Sequence, residues 1–324
     1  MRVIFPSDEF DRAAPDAAFA AEAALAAARG LETSVVNVDR LTSDEEALSA
    51  VRRVRQSESR APALYRGWMM PPDRYTRLHT ALGTRGLALV TSPLAYTLTH
   101  HLPCWYPLLA EHTPRSVWTA SPRRPYRTEL AHLLAGFGSG ALVLKDYVKS
   151  EKHAWNEACF MPDASDLDAV ERVLDRFLEL RGGDVEGGLV FREYLPLEPI
   201  GVHPKSGMPL TREHRLVFWR GRLVAGGAYW DASEASDAPE PGSATGEPPP
   251  AERFAALAAA IASPLFTMDV ARRASGEWIV IELGDGQVAG LRPDQGLAAL
   301  YDALAIEPSD GVAAAAPGIV PPAG

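Results

Sequence analysis

Strand and helix signals alternate through the first 91 residues, and that alternation leaves few architectures open. Residues 2–5, Arg-Val-Ile-Phe, make a short strand that ends at Pro6. An Ala-rich helix from Asp16 to Arg29 stops at Gly30, which can turn left-handed without a Cβ clash. Thr33 to Val38 reads as a second strand, and Ser43 with Glu46 forms a capping box that predicts a helix to about Arg55. Ala63-Leu64-Tyr65 is a third strand running into Arg66-Gly67-Trp68. A helix over Tyr75–Leu82 and a strand over Leu87–Thr91 follow. Such alternation implies a parallel α/β layer whose ligands lie at the carboxyl ends of the strands. Arg66 occupies one such end, where it either meets an anionic substrate or pairs with a surface acid.

At 324 residues with 47% hydrophobic residues, the chain can bury the cores of two or three domains. Its 32 Lys+Arg against 42 Asp+Glu give a net charge of −10, which argues against general nucleic-acid or anionic-membrane binding. Cys104 and Cys159 are too few for a disulfide framework, and a reduced compartment is expected. Asp8, Glu9 and Asp11 interrupt any signal-peptide pattern, and no window reaches the roughly 20 apolar residues of a membrane span. A soluble, cytoplasmic protein is expected.

Beyond residue 91 the pattern changes. His100-His101 resembles a metal pair, but adjacent residues diverge on a helix or a strand, so chelation is not expected. Pro103, Pro107, Pro114, Pro122 and Pro125 mark residues 103–125 as an interdomain linker. A helix from about Arg127 to Leu134 precedes Gly136-Phe137-Gly138-Ser139-Gly140, which opens a strand rather than a helix and so is not a phosphate loop. Lys145 ends the apolar strand Ala141–Leu144, and a buried ammonium needs an anion. Lys149 and Lys152 follow, the latter expected to be solvated. Asp163 to Leu180 carries an amphipathic helix, and Gly188 to Leu195 a strand that breaks at Pro196. Arg212–Trp219 and Leu223–Tyr229 form a hairpin with Glu213 and Arg215 on one face. Residues 231–250 read as an acidic, proline-rich flexible loop, 251–262 and 295–304 as helices, and 306–324 as a disordered tail.

The segment 265–290 reads as two strands around Ala274-Ser275-Gly276. Asp269 in the first and Glu282 in the second can converge across the pair, with Asp285 just beyond. Hard carboxylate oxygens suit Mg²⁺ held together with substrate phosphates. The other reading is an ordinary hairpin with acids on its wet face.

From Lys145 onward the order of these features resembles the ATP-grasp superfamily, closest to the divergent clade named for one arginine and two lysines. The clade positions would be Lys145, Lys149 and either Arg192 or Arg215. Asp16, Phe19 and Glu22 with Arg66-Gly67-Trp68 resemble the N-terminal domain of that clade. The resemblance implies a Rossmann-like α/β pre-ATP-grasp domain over 1–120 and an α+β ATP-grasp domain over 121–305. It also implies ATP at Lys145, Lys149, the segment Arg192-Glu193-Tyr194-Leu195 and Glu198, with Mg²⁺ at Asp269, Glu282 and Asp285. Two departures stand out. No glycine-rich flap follows the lysine, and the usual Glu-x-Asn metal motif reads Glu282-Leu283-Gly284-Asp285.

The implied activity is an ATP-dependent carboxylate–amine ligase that passes through an acylphosphate and releases ADP and phosphate. Arg215 and Lys149 are the catalytic candidates, because arginine stabilises the equatorial oxygens of a transferred phosphoryl group. The substrates would be a small-molecule or peptide carboxylate and an amine, with Arg66 as a substrate contact. No nucleic-acid or membrane partner is expected, and a homodimer is compatible with the sequence. A small-molecule kinase and a non-catalytic nucleotide-binding module are the alternatives.

Overall fold

The computed structural model describes residues 1–230 and 247–306, so the expected tail after Ile306 and most of the acidic loop fall outside the described residues. Strands β1 (Arg2–Pro6), β2 (Glu32–Val36), β3 (Ala61–Tyr65) and β4 (Leu87–Leu89) form one parallel sheet in the order β2-β1-β3-β4. Helices α1 (Ala20–Ala28), α2 (Asp44–Ala50) and α3 (Pro72–Gly83) are its crossovers. Both faces of β1 are buried, as a parallel strand between helix layers requires. Ile4 shares a core with α2 and α3 residues such as Ala47 and Leu78, whereas Val3 and Phe5 cluster with Ala23 and Ala26 of α1. Half of the expected capping box forms: Ser43 Oγ accepts from the Glu46 amide at 3.3 Å, but the Glu46 carboxylate turns to Arg40 Nε at 2.7 Å, and the helix ends at Ala50 rather than near Arg55.

The proline-rich stretch is not a linker. Helix α4 (Pro93–His100) precedes it, helix α5 (Leu102–Leu109) occupies its start, and β5 (Ser116–Trp118) is a sheet strand. Pro103 sits in the first turn of α5, where its missing N–H breaks no intrahelical bond, and Pro107 lies inside the helix. Burial outweighs that defect, because Leu102, Trp105 and Leu109 are all 1% exposed and share one core with the third sheet. Their i, i+3, i+7 spacing is the helical signal that the prolines obscure.

The second sheet is antiparallel in the order β5-β8-β6-β7, with β6 (Leu142–Asp146), β7 (Phe160–Met161) and β8 (Leu189–Glu193). The boundary expected near residue 120 therefore falls just after β5, which already hydrogen-bonds into this sheet. Helices α6 (Arg127–Leu134) and α7 (Leu167–Arg181) cover one face, burying Leu142, Leu144, Leu189 and Phe191 against Val170, Leu174 and Phe177. The period of two then turns Val143, Lys145 and Arg192 to the opposite face.

A small hairpin of β9 (Pro199–Val202) and β10 (Pro209–Thr211) leads into the third sheet. That sheet comprises β11 (Glu213–Trp219), β12 (Arg222–Ala228), β13 (Leu265–Arg272) and β14 (Trp278–Asp285), antiparallel in the order β12-β11-β13-β14. Helix α8 (Ala251–Ala258) packs Phe254 and Ala258 on one side. Helix α9 (Leu297–Ile306) buries Leu300, Tyr301 and Leu304 with Val217, Trp219 and Leu265, and the same cluster takes in Val3 and Phe5 of the parallel sheet. Among the described residues no helix is long and apolar enough to cross a membrane.

Candidate active site

A cavity of about 550 Å³ opens where the second and third sheets face each other. Strands β6 and β8 supply one wall, β11 and β14 the other. Lys145, Lys149, Lys152, Arg181, Arg192 and Arg215 line it, against the carboxylates Glu151, Glu193, Glu213 and Glu282. Cations outnumber carboxylates along its walls, which suits a polyanionic ligand.

The third sheet fixes three charges by register alone. Arg215 of β11 is opposite Asp269 of β13, and Asp269 is opposite Glu282 of β14, with a bulge just after Asp269. The two acids thus meet across the strand pair, as expected, and the burial of Asp269 sets aside an ordinary hairpin with both acids on a wet face. Arg215 grips Asp269 with two parallel bonds, Nε and Nη2 each at 2.8 Å. Asp269 is 4% exposed, and burial raises its pKa against the pull of Arg215.

From the opposite wall, Lys145 Nζ donates to Glu282 Oε1 and to the Val148 carbonyl at 3.1 Å. Burial favours the neutral form of Glu282, but Lys145, Lys152 and Arg192 together outweigh it and hold its pKa low. The buried lysine has the anion that its burial demands, and here the anion is a carboxylate.

Arg192, paired with Val143 across β6 and β8, donates through Nη2 to Thr113 Oγ1 and to the Ile281 carbonyl, both at 2.7 Å. Its Nη1 is buried without a hydrogen-bond partner. Burial pushes the Arg192 pKa down to about 10, partly offset by Glu282. An orphaned guanidinium nitrogen on a cavity wall is a costly arrangement unless an anion completes it.

Lys152 departs from its expected place in solvent. It is half-buried, with Nζ 5.5 Å from the Tyr229 ring and 5.4 Å from the Trp230 ring. Desolvation works against its charge, yet Tyr229, Glu213, Glu282 and Asp269 outweigh that and raise its pKa. Glu213 shares the Arg215 face of β11; it accepts from Thr211 Oγ1 and from Trp230 Nε1 at 3.2 Å, and burial raises its pKa. Lys149 lines the same cavity but is exposed. No local pattern marks Lys152, since its neighbours His153, Asn156 and Glu157 are exposed and the rings that cover it come from Tyr229 and Trp230.

Glu193, Tyr194 and Leu195 line the cavity where β8 leaves the sheet. Their backbone is fixed from behind, with Glu193 N donating to the Arg115 carbonyl at 2.8 Å and Tyr194 N to Ala141 at 2.9 Å. Trp155, Phe160 and Tyr194 pack together beside them, with 5.0 Å between the Phe160 and Tyr194 rings. Trp155, Tyr194 and Leu195 thus give this part of the cavity an apolar, aromatic lining.

Three residues lie elsewhere. Glu198 does not line the cavity; Arg212 Nε at 2.7 Å and Arg272 Nη1 at 2.5 Å hold its two oxygens. Arg66 is 1% exposed and pairs with the buried Glu22 through Nε at 2.9 Å and Nη2 at 2.6 Å, so its anion is internal. Asp285 is fully buried and accepts from Gln287 N at 3.0 Å, Gln287 Nε2 at 3.1 Å and Thr99 Oγ1 at 3.3 Å. Its offset of three from Glu282 puts it on the other face of β14. Gly284, two residues from Glu282, has the facing position but brings no ligand atom. Burial pushes the Asp285 pKa up to about 7.

The donor set fits a nucleotide triphosphate with magnesium. Asp269 and Glu282 offer hard oxygens across adjacent strands, and Lys145, Lys152, Arg192 and Arg215 surround them with cations.

None of the curated proteins compared matches the sequence. Among solved structures, the fold is similar to the ATP-grasp ligase PsnB complexed with minimal precursor, Mg and ADP, at TM-score 0.51 and 16% identity, covering 94% of this chain and 96% of that one. A RimK domain protein ATP-grasp from Sphaerobacter thermophilus DSM 20745 aligns at TM-score 0.56 and 16% identity over 93% of this chain and 98% of its own. D-cycloserine synthetase DcsG aligns at TM-score 0.56 and 14% identity over 94% and 99%. At these identities the likeness speaks for the fold. The family model described as "ATP-grasp domain, R2K clade family 3" matches residues 135–304, more than half of the chain, and the protein belongs to that family.

Proposed function

We propose that the protein is an ATP-grasp ligase that joins a carboxylate to an amine at the expense of ATP, releasing ADP and phosphate. The observation that carries this reading is the pair of interlocked ion pairs on one cavity, Lys145–Glu282 and Arg215–Asp269, beside the unpartnered Arg192 Nη1. Each cation is parked on a carboxylate that hard metal ions favour. When Mg²⁺ and ATP arrive, the acids can turn to the metal and the cations to phosphate, so no bare charge is buried before or after. The named structures add support, since PsnB is described as a ligase with precursor, Mg and ADP, and DcsG as a synthetase.

In this reading the adenine lies along the aromatic lining, against the Glu193–Leu195 backbone. Lys145, Lys152 and Arg192 hold the phosphates, with Lys149 as an outer contact. Asp269 and Glu282 hold magnesium, which when bound neutralises phosphate charge. The substrate carboxylate attacks the γ-phosphorus and ADP leaves. Arg215 stabilises the oxygens of the phosphoryl group in transit. The amine then attacks the acyl carbon, loses a proton and expels phosphate, so an amide forms. The cavity walls keep water from the acylphosphate.

Incubation with ATP, Mg²⁺ and pools of amino acids and short peptides tests the reading directly. ADP together with a new amide is expected. ADP with a stable phosphorylated product would make the protein a kinase, AMP would exclude the acylphosphate route, and no turnover with intact ATP binding would leave a binding module.

A further inference from the structure

His100 and His101 do come together. His100 ends α4, and His101 has extended backbone, φ −99° and ψ 121°, between α4 and α5. That break swings the adjacent rings onto one side, where they stack with 5.6 Å between centroids. The divergence expected of neighbouring residues holds only within a continuous helix or strand.

Glu186, in the segment before β8, meets both rings. His101 Nε2 lies 2.7 Å from Glu186 Oε1, and His100 Nε2 lies 3.5 Å from the same oxygen. One ligand atom from each residue falls within 4.8 Å of the others, and no other such trio occurs among the described residues. The His100 side chain is 1% exposed, and its Nε2 has no hydrogen-bond partner. His101 and Glu186 are 14% and 20% exposed, so the cluster is closed on the His100 side and reachable by water on the other.

Nitrogen and carboxylate ligands about 2.0–2.2 Å from a tetrahedral ion stand roughly 3.3–3.5 Å from one another. The separations here bracket that spacing, so small side-chain rotations would admit an ion. Two imidazoles favour a borderline transition cation over Mg²⁺, which prefers oxygen. We propose that His100, His101 and Glu186 form a site for one zinc-like divalent cation, separate from the carboxylates of the nucleotide cavity, with water as its fourth ligand.

The position gives the ion a role. Leu102 N donates to the Tyr147 carbonyl at 3.0 Å, and Tyr147 N to the Glu186 carbonyl at 3.2 Å. Asp146, next to Lys145, accepts from Glu186 N at 3.2 Å. An ion here staples the α4–α5 turn to the chain that leaves β6 just after the phosphate lysine.

The test uses the full chain, freed of metal by dialysis against a chelator and titrated with Co²⁺ or Zn²⁺. Visible absorption of tetrahedral Co²⁺ and the Zn²⁺-dependent rise in unfolding temperature are the readouts. One ion per chain is expected, bound at least about tenfold more weakly by Glu186→Gln and His101→Gln. His101→Gln keeps a donor to Glu186, which guards against loss of fold. Asp269→Asn should bind Co²⁺ as the wild type does. The proposal is overturned if the wild type binds no stoichiometric ion, if the two ligand variants bind it equally well, or if only Asp269→Asn loses it.

Discussion

Replacing Glu282 by Gln separates the structural and chemical roles of the site. Lys145 Nζ has two partners, the Glu282 carboxylate and the Val148 carbonyl, so the variant leaves a buried ammonium on one neutral acceptor and an amide. Stripping one member of a buried pair costs about 3–5 kcal/mol. The Glu282 side chain is 34% exposed and faces an open cavity, so water recovers part of that loss. The expected destabilisation of the apo protein is about 1–3 kcal/mol, a fall of a few degrees in unfolding temperature. Nucleotide binding should split in two. With EDTA present, Lys145 is free to turn to phosphate, and ADP should bind as well as to the wild type or better. With Mg²⁺ present, the gain in ADP affinity that the metal confers on the wild type should vanish, together with turnover. Calorimetric titration of ADP with and without Mg²⁺, beside a thermal unfolding curve, reads all three quantities. A variant that keeps its Mg²⁺-dependent gain and its turnover would refute the metal assignment, and one of unchanged apo stability would refute the ion-pair argument.

Lys152→Met should weaken ATP binding by roughly ten- to a hundredfold and leave adenosine binding intact, while the exposed Lys149→Ala costs at most a few-fold; equal losses for ATP and adenosine would show that Lys152 serves packing alone. Arg66→Met should strip the buried Glu22 and cost about 3–5 kcal/mol of stability without changing ATP affinity in the folded protein; a stable variant that had lost substrate binding would restore Arg66 to the site. Asp285, with a folded pKa raised to about 7 from 3.8, holds a proton that the unfolded chain releases, so its contribution to stability is full below pH 4 and is lost as pH rises towards 7. Measured by urea unfolding, Asp285→Asn should gain on the wild type by about 1.4 kcal/mol per pH unit across that window and then level off; a difference independent of pH would mean that Asp285 stays ionised.

Periodicity made most of the site legible, because alternation along a strand decides which side chains meet. Lys145, Arg192, Arg215 and Glu282 reach one cavity, and Asp269 sits between Arg215 and Glu282, for that reason. The same rule excludes Asp285, since an odd offset from Glu282 turns it away. Local pattern says little about partners distant in sequence. The anion for Arg66 is Glu22, 44 residues earlier, and Glu198 is claimed by Arg212 and Arg272. Lys152 looked like a solvated lysine because the rings that cover it, Tyr229 and Trp230, lie more than 70 residues away. The prolines at 103 and 107 suggested a linker because their local cost is plain, whereas the burial of Leu102, Trp105 and Leu109 that offsets it depends on a sheet formed much later in the chain.

The transfer of a carboxylate oxygen to phosphate tests the proposed ligase most directly. Amino acids and peptides labelled with ¹⁸O in their carboxyl groups, incubated with the protein, ATP and Mg²⁺, should yield ADP and phosphate carrying one ¹⁸O, because the oxygen that attacks the γ-phosphorus leaves with it when the amine takes the acyl carbon. Unlabelled phosphate beside ADP, or AMP in place of ADP, would contradict an acylphosphate formed at this cavity.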